Sequence, residues 1–225
     1  MGPLSQTFLR ASPSFLNGTA CGRNMLPVVA HQPFAPAVVV LYAKDTPLTG
    51  GKTMDCSASD HELCMRPITA RDYPAVLRIN EENVSVLSPL DGTRLALIHA
   101  MASVAEVFTR GEDGGVVGFL LALRPGTAYD SPNYGWFCDR YDDFLYIDRI
   151  VMDPCVRGRG LGKTAYCALF DFARDHGIGR LVAEIDSRPP NGPSLSFHRA
   201  MGFVEVGGQE LCGGAKEVVY VEARA

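Results

Sequence analysis

The chain has 225 residues, with 21 Lys and Arg against 25 Asp and Glu and a formal net charge of −4. A composition 47% hydrophobic and 20% charged is that of a globular protein and excludes intrinsic disorder, collagen-like repeats and a coiled coil. The slight acidity excludes a bulk electrostatic grip on nucleic acid. The longest apolar runs, over 35–43 and 116–123, fall short of the roughly 20 residues a membrane helix needs.

Seven cysteines (Cys21, Cys56, Cys64, Cys138, Cys155, Cys167 and Cys212) are odd in number and scattered, with no CxxC pair. That pattern reads as reduced thiols in a cytoplasmic protein and not as a disulfide framework or a zinc site, so no metal is expected.

Residues 1–64 differ from the rest. The first 43 hold two Arg and no Asp or Glu, and the strand-like run over 37–42 is the one periodic stretch. A disordered extension, a targeting presequence and a start-site artefact with Met54 or Met65 as the true beginning all fit. The expected division is therefore an extension over 1–64 and one domain over 65–225.

From Met65 the elements follow in order. A short strand at 66–68 precedes a helix with Asp72 at its cap, Pro74 in its first turn and Val76, Leu77 and Ile79 as its apolar stripe. Asp91-Gly92 opens a second helix carrying Leu95, Ile98 and Met101. Strands over 103–109 and 116–123 form a hairpin, and 124–143 reads as a polar and aromatic loop. A strand over 144–152 leads to a helix over 160–176, with Leu161, Ala165, Leu169, Phe172 and Ala173 on one face. A strand at 180–185, a helix at 194–201 and strands at 203–209 and 217–221 complete an α/β (α+β) domain, a mixed sheet flanked by helices.

The chemistry concentrates after residue 148. Arg157-Gly158-Arg159-Gly160-Leu161-Gly162-Lys163 runs straight into a helix. Glycines allow close backbone approach, and a helix N-terminus with outward N–H groups favours an anion. The run lacks the GxxxxGK spacing of a nucleotide-triphosphate loop, and Lys163 breaks a dinucleotide GxGxxG pattern.

This segment resembles the Gcn5-related N-acetyltransferase superfamily, whose signature [RQ]-x-x-G-x-[GA] is satisfied by Arg157 to Gly162, with Pro154 upstream. A second family element, N-x-x-[AS]-x-x-F-Y-x-x-x-G-F, matches from Asn191 to Phe203 except that His198 replaces the Tyr. The resemblance covers residues 65–225 and implies a mostly antiparallel twisted sheet and an acetyl-CoA cosubstrate. It further implies that the N–H groups of Arg157, Gly158, Arg159, Gly160, Leu161, Gly162 and Lys163 hold the pyrophosphate. On the preceding strand Ile150, Val151 and Met152 match the segment whose main chain pairs with pantetheine. Asn191 and Ser194 match positions on the same cofactor wall.

Direct attack of an amine on a thioester needs a base and a proton for the departing thiolate. The resemblance implies a base, or a water-relaying carboxylate or His, on the strand before the pyrophosphate loop. Period-two geometry places Tyr146, Asp148, Ile150 and Met152 on one face of that strand, so Asp148 is the candidate base, acting through water, with Tyr146 beside it. Structural pairing of Asp148 with Arg149 or Arg180 is the competing reading. The family's acid is the Tyr of its F-Y step; His198 stands there, either as an imidazolium donor or as a structural side chain. The loop over 124–143 mixes Asp130, Asp139, Asp142 and Asp143 with Tyr129, Tyr134, Trp136, Phe137 and Tyr141. It borders an amine acceptor, covers the sheet or forms a homodimer contact. The resulting expectation is acetyl-CoA-dependent N-acetylation of a small-molecule or peptide amine, without nucleic acid or membrane partners. A non-catalytic acyl-CoA-binding or sensor domain of the same fold is the alternative.

Overall fold

The computed structural model describes residues 63–83, 87–111 and 114–225. Seven strands appear in chain order as β1 (Leu63–Pro67), β2 (Val104–Arg110), β3 (Val116–Leu123), β4 (Leu145–Met152), β5 (Arg180–Arg188), β6 (Val204–Leu211) and β7 (Lys216–Arg224). The helices are α1 (Tyr73–Glu81), α2 (Gly92–Met101), α3 (Pro132–Cys138), α4 (Leu161–Asp175) and α5 (Gly192–Ala200). The strands make one sheet in the order β1-β2-β3-β4-β5-β7-β6, in which β4 and β5 are parallel and the other neighbouring pairs antiparallel. The mixed, mostly antiparallel expectation therefore holds.

β1 starts at Leu63, the first described residue, which lies two residues before the expected domain boundary. The strand-like run at 37–42 and the rest of the expected extension lie outside the described residues.

Two apolar layers sandwich the sheet. On one side α4 buries Leu161, Ala165, Tyr166, Leu169, Phe172 and Ala173, the 3.6-residue stripe read from the sequence with Tyr166 added. On the other side Val76 and Ile79 of α1, Leu95 and Ile98 of α2, and Tyr134 and Phe137 of α3 pack on Phe119, Leu121 and Tyr146. Each large aliphatic side chain so buried contributes roughly 1.5–3 kcal/mol.

Two local expectations change. Asp72 stands at the α1 cap, but its carboxylate does not cap that helix; it accepts from the Thr69 N–H and hydroxyl and from both Arg66 guanidinium nitrogens. Chiefly because of the Arg66 bond, its pKa is lowered to about 2. The 124–143 segment is not all loop: Ser131 caps α3, Pro132 starts it, and aromatic contacts with Tyr220 and Phe144 hold a seven-residue helix too short to announce a periodicity.

Candidate active site

The pairing of β4 with β5 is confined to Leu145↔Leu181 and Tyr146↔Val182. Beyond those pairs the two strands part. Two residues past the last pair on each strand, Asp148 on β4 and Glu184 on β5 stand at the mouth of the gap.

β4 is also bulged there. Its register with β3 runs Leu121↔Arg149 and then Ala122↔Ile147, so Asp148 is the extra residue. The bulge overturns the single-face expectation. Tyr146, Asp148, Arg149 and Val151 all turn to the α1–α3 side, whereas Ile150 and Met152 pack with Leu145 and Ile147 on the α4 side. An extra residue resets the two-residue period, and a sequence does not announce it.

Main-chain direction follows from the ladder. The Asp153 N–H donates to the Val117 carbonyl at 2.8 Å, and bonded pairs alternate in an antiparallel pair, so Val151 and Arg149 turn their N–H and C=O groups toward β3. Ile150 and Met152 turn theirs into the gap. Val151 thus offers no main chain to a ligand in the gap, contrary to its expected place in the pantetheine-pairing segment. The Met152 carbonyl already accepts from Arg157 Nε at 3.2 Å.

The cradle lies at the end of that edge. After a 3-10 turn over Pro154–Val156, Gly158 and Gly160 adopt φ of +77° and +81°, and Gly160 is the residue before α4. A Cβ at either would meet nothing within 4 Å, so glycine is required here by backbone conformation and leaves open space over the α4 N-terminus. The Arg159 and Lys163 side chains are exposed around it. Leu161 is buried in the core, leaving its N–H as the group it presents. Arg157 differs from the expectation: its guanidinium turns back to Asn83 Oδ1 and Met152 O, fastening the end of α1 to β4. An exposed glycine-rich turn at a helix N-terminus beside an unpaired strand edge fits an extended cofactor with a phosphate group.

Asn191 caps α5, its Oδ1 accepting from the Ser194 N–H at 3.3 Å. Ser194 supplies its carbonyl to His198 Nδ1 at 2.8 Å. The other ring nitrogen of His198, Nε2, meets the Tyr166 hydroxyl at 2.6 Å. A carbonyl only accepts, so Nδ1 carries the proton and Nε2 accepts from Tyr166. The ring is buried among Phe197, Phe203 and Tyr166, and burial lowers its pKa. His198 is therefore a neutral ring with both nitrogens engaged.

Asp148 is paired as well. One carboxylate oxygen accepts from the Tyr129 hydroxyl and the other from Arg149 Nε at 2.6 Å, with the two charged side chains 4% and 6% exposed. Arg149 in turn bonds Asn80 Oδ1 and the Ser88 carbonyl, tying the α1–α2 connection to the bulge.

Glu184 was passed over in the sequence, although one carboxylate inside the apolar run Leu181-Val182-Ala183-Glu184-Ile185 was a visible signal. Its Oε2 and the Tyr146 hydroxyl are both buried without a hydrogen-bond partner. Burial, then the neighbouring Asp148 charge, raise its pKa to about 7, against the opposing influence of Tyr146 and Asn133. The Tyr146 hydroxyl is pushed well above its ordinary value, mainly by burial, and keeps its proton at neutral pH. A carboxyl group poised near neutrality at the mouth of a strand gap, with an unpartnered hydroxyl beside it, has the properties of a general base.

The chain is similar to known acetyltransferases in sequence and in fold. The chain is 36% identical over 63 residues to streptothricin acetyltransferase of Streptomyces lavendulae, a match spanning 28% of this chain and 32% of that protein. It is 28% identical over 120 residues to glucosamine 6-phosphate N-acetyltransferase of Trypanosoma brucei brucei, covering 51% of this chain and 71% of that one. Among solved structures, yncA of Salmonella typhimurium with its cofactor acetyl-CoA superposes with a TM-score of 0.53 at 20% identity, covering 72% of this chain and 93% of the other. The model of the Acetyltransferase (GNAT) family matches residues 76–203, more than half of the chain, and the protein belongs to that family.

Proposed function

We propose that the protein is an acetyl-CoA-dependent N-acetyltransferase that passes the acetyl group directly to a primary amine. The observation that carries this reading is the juxtaposition of the β4–β5 gap, the glycine cradle at its end and the Glu184 carboxylate at its mouth.

In this reading the N–H groups of residues 157–163 receive the pyrophosphate, and the main chain of Ile150 and Met152 pairs with the pantetheine arm. Asn191, whose Oδ1 caps α5, keeps its NH2 for the same arm, and Ser194 sits one turn away. Glu184 takes the proton from the attacking nitrogen as the C–N bond forms and the C–S bond breaks, and solvent supplies a proton to the departing CoA thiolate. Tyr146 donates a hydrogen bond to negative charge developing on the thioester oxygen, which an unpartnered, protonated hydroxyl suits. The role first assigned to Asp148 passes to Glu184, because both Asp148 oxygens are engaged while Glu184 Oε2 is not. His198, with its proton committed to the Ser194 carbonyl, serves the packing of α4 and α5 and not proton delivery. The acceptor is an amine reaching Glu184 from the α1–α3 side.

The locked His198 favours a second reading, an acyl-CoA-binding domain without turnover. One experiment separates the two. Saturating acetyl-CoA, at about 100 times its dissociation constant, adds about 2.7 kcal/mol of stability if the cradle works. Release of the CoA thiol is then followed spectroscopically over a panel of primary amines: spermidine, an aminoglycoside, glucosamine 6-phosphate and an N-terminal peptide. Binding with turnover abolished in Glu184→Gln supports the enzyme, binding without turnover on any amine supports the sensor, and no binding refutes both.

A further inference from the structure

We propose that Tyr129 determines which amines reach Glu184, admitting one carried on an unbranched CH2 and excluding one with a branch at the carbon that bears the nitrogen. The inference rests on the reading of Glu184 as the base. Tyr129 lies on the stretch between β3 and α3 and is 9% exposed. Its hydroxyl donates to Asp148 Oδ1 at the mouth of the gap. Its ring stands 6.4 Å from that of Tyr146, the hydroxyl assigned to the thioester oxygen. One side chain therefore borders both the oxyanion donor and the strand position facing the base.

That ring is held in place by two further contacts. The Arg94 guanidinium of α2 lies over it at 4.9 Å and pairs with Asp130, the next residue along. The Tyr134 ring meets it edge-on at 5.7 Å, and the Tyr134 hydroxyl accepts from the Thr127 N–H at 3.2 Å. A side chain so fixed behaves as a wall and not as a flap. α3 supplies a second wall. Phe137, fully buried, sets its ring 5.9 Å from Tyr146 on β4 and 5.1 Å from Tyr220 on β7. β5 runs between those strands, with Val182 beside Tyr146 and Glu184 across from Tyr220, so Phe137 lies over the β5 segment that leads to Glu184. Tyr146 is fully buried, and neither its hydroxyl nor Glu184 Oε2 has a hydrogen-bond partner among the described residues. The reacting nitrogen must pass aromatic rings to reach groups set below them. A CH2 passes between rings; a further substituent on that carbon adds bulk to a closely packed surround. The ring faces and the two carboxylates also favour an ammonium ion on its way in. The acceptor that suits this approach is a slender aliphatic amine, in preference to a peptide N-terminus, whose α-carbon always carries a carbonyl.

The test compares two isomers that differ only in branching, butylamine and 2-aminobutane, as acceptors for the full-length protein with saturating acetyl-CoA, followed by release of the CoA thiol. Butylamine is expected to have the higher kcat/KM by about tenfold or more. Tyr129→Ala, which removes the wall, should bring the two to within about threefold, while Tyr129→Phe, which keeps the ring and gives up only the hydroxyl, should preserve the preference even where kcat falls. Near-equal values in the parent, or a preference unmoved in folded Tyr129→Ala, overturn the proposal. Where Tyr129→Ala does not melt cooperatively, Tyr129→Leu takes its place, and the comparison in the parent stands without either. If neither isomer is turned over, the same preference is read as binding by calorimetry of the CoA-loaded protein, and equal binding or none overturns it. Failure of the base reading shows separately, as transfer to butylamine that survives Glu184→Gln with the preference over 2-aminobutane intact.

Discussion

The Tyr166 hydroxyl and His198 Nε2 meet at 2.6 Å between α4 and α5, and both side chains are buried. This bond joins the helix that begins at the cradle to the helix that carries the second family motif. Tyr166→Phe leaves Nε2 buried without a donor and should cost about 1–3 kcal/mol, read as a lower urea midpoint. A stability equal to the parent's would show that the pair is not needed.

The same histidine predicts a pH dependence. Its folded pKa lies below the unfolded value of 6.5, chiefly through burial, so the unfolded chain binds the proton more readily. The stability linked to a neutral ring is fully present above 6.5 and is lost as pH falls through the depressed folded value. His198→Gln should flatten that acid limb in thermal melts taken between pH 5 and 8; an unchanged limb would place the proton uptake elsewhere.

Asp148→Asn should be destabilising before it is catalytic. The substitution leaves the Arg149 guanidinium, 6% exposed, without its counter-charge, a loss of about 3–5 kcal/mol for a buried pair. Chemical unfolding of the variant checks this. A variant as stable as the parent but inactive would return Asp148 to the role of base.

Gly160→Asp should abolish acetyl-CoA binding by calorimetry. It puts a side chain at φ +81° and a negative charge over the α4 N-terminus. Arg157→Ala should weaken binding much less, because that guanidinium is engaged with Met152 and Asn83. The reverse order of effects would make the Arg157 side chain, and not the backbone, the main anion contact.

Glu106 on β2 offers a control on pH effects away from the gap. Burial raises its pKa to about 7, partly offset by Arg66. A raised carboxyl pKa means stability fully present below the unfolded value of 4.5 and lost as pH rises through about 7. Glu106→Gln should therefore raise the melting temperature at pH 8 and leave it nearly unchanged at pH 4. Equal shifts at both pH values would point to packing instead of charge.

Much of the fold was legible in the residues. The α4 stripe, the Asp91 cap of α2, the β3 strand and the two family motifs rest on spacing along one segment, and local spacing is what a sequence displays. The α3 helix was not legible. Seven residues leave little room for periodicity, and what holds this helix is stacking on Tyr220, 84 positions after Trp136 in the chain.

The site divided along the same line. Gly158 and Gly160 declare a cradle because positive φ is a local demand that glycine meets. Which carboxylate is free, which histidine nitrogen carries a proton, and which way Ile150 and Val151 turn were all decided by tertiary structure. The β4 bulge at Asp148 reset the strand's alternation, and besides their local partners Arg149 and Ser194, Asp148 and His198 each take a second partner from another segment, Tyr129 and Tyr166. Glu184 became the open acid because β4 and β5 part where it stands, leaving a buried oxygen beside the Tyr146 hydroxyl with no bond made. Contacts between distant segments set that burial, and burial sets a carboxylate's proton affinity.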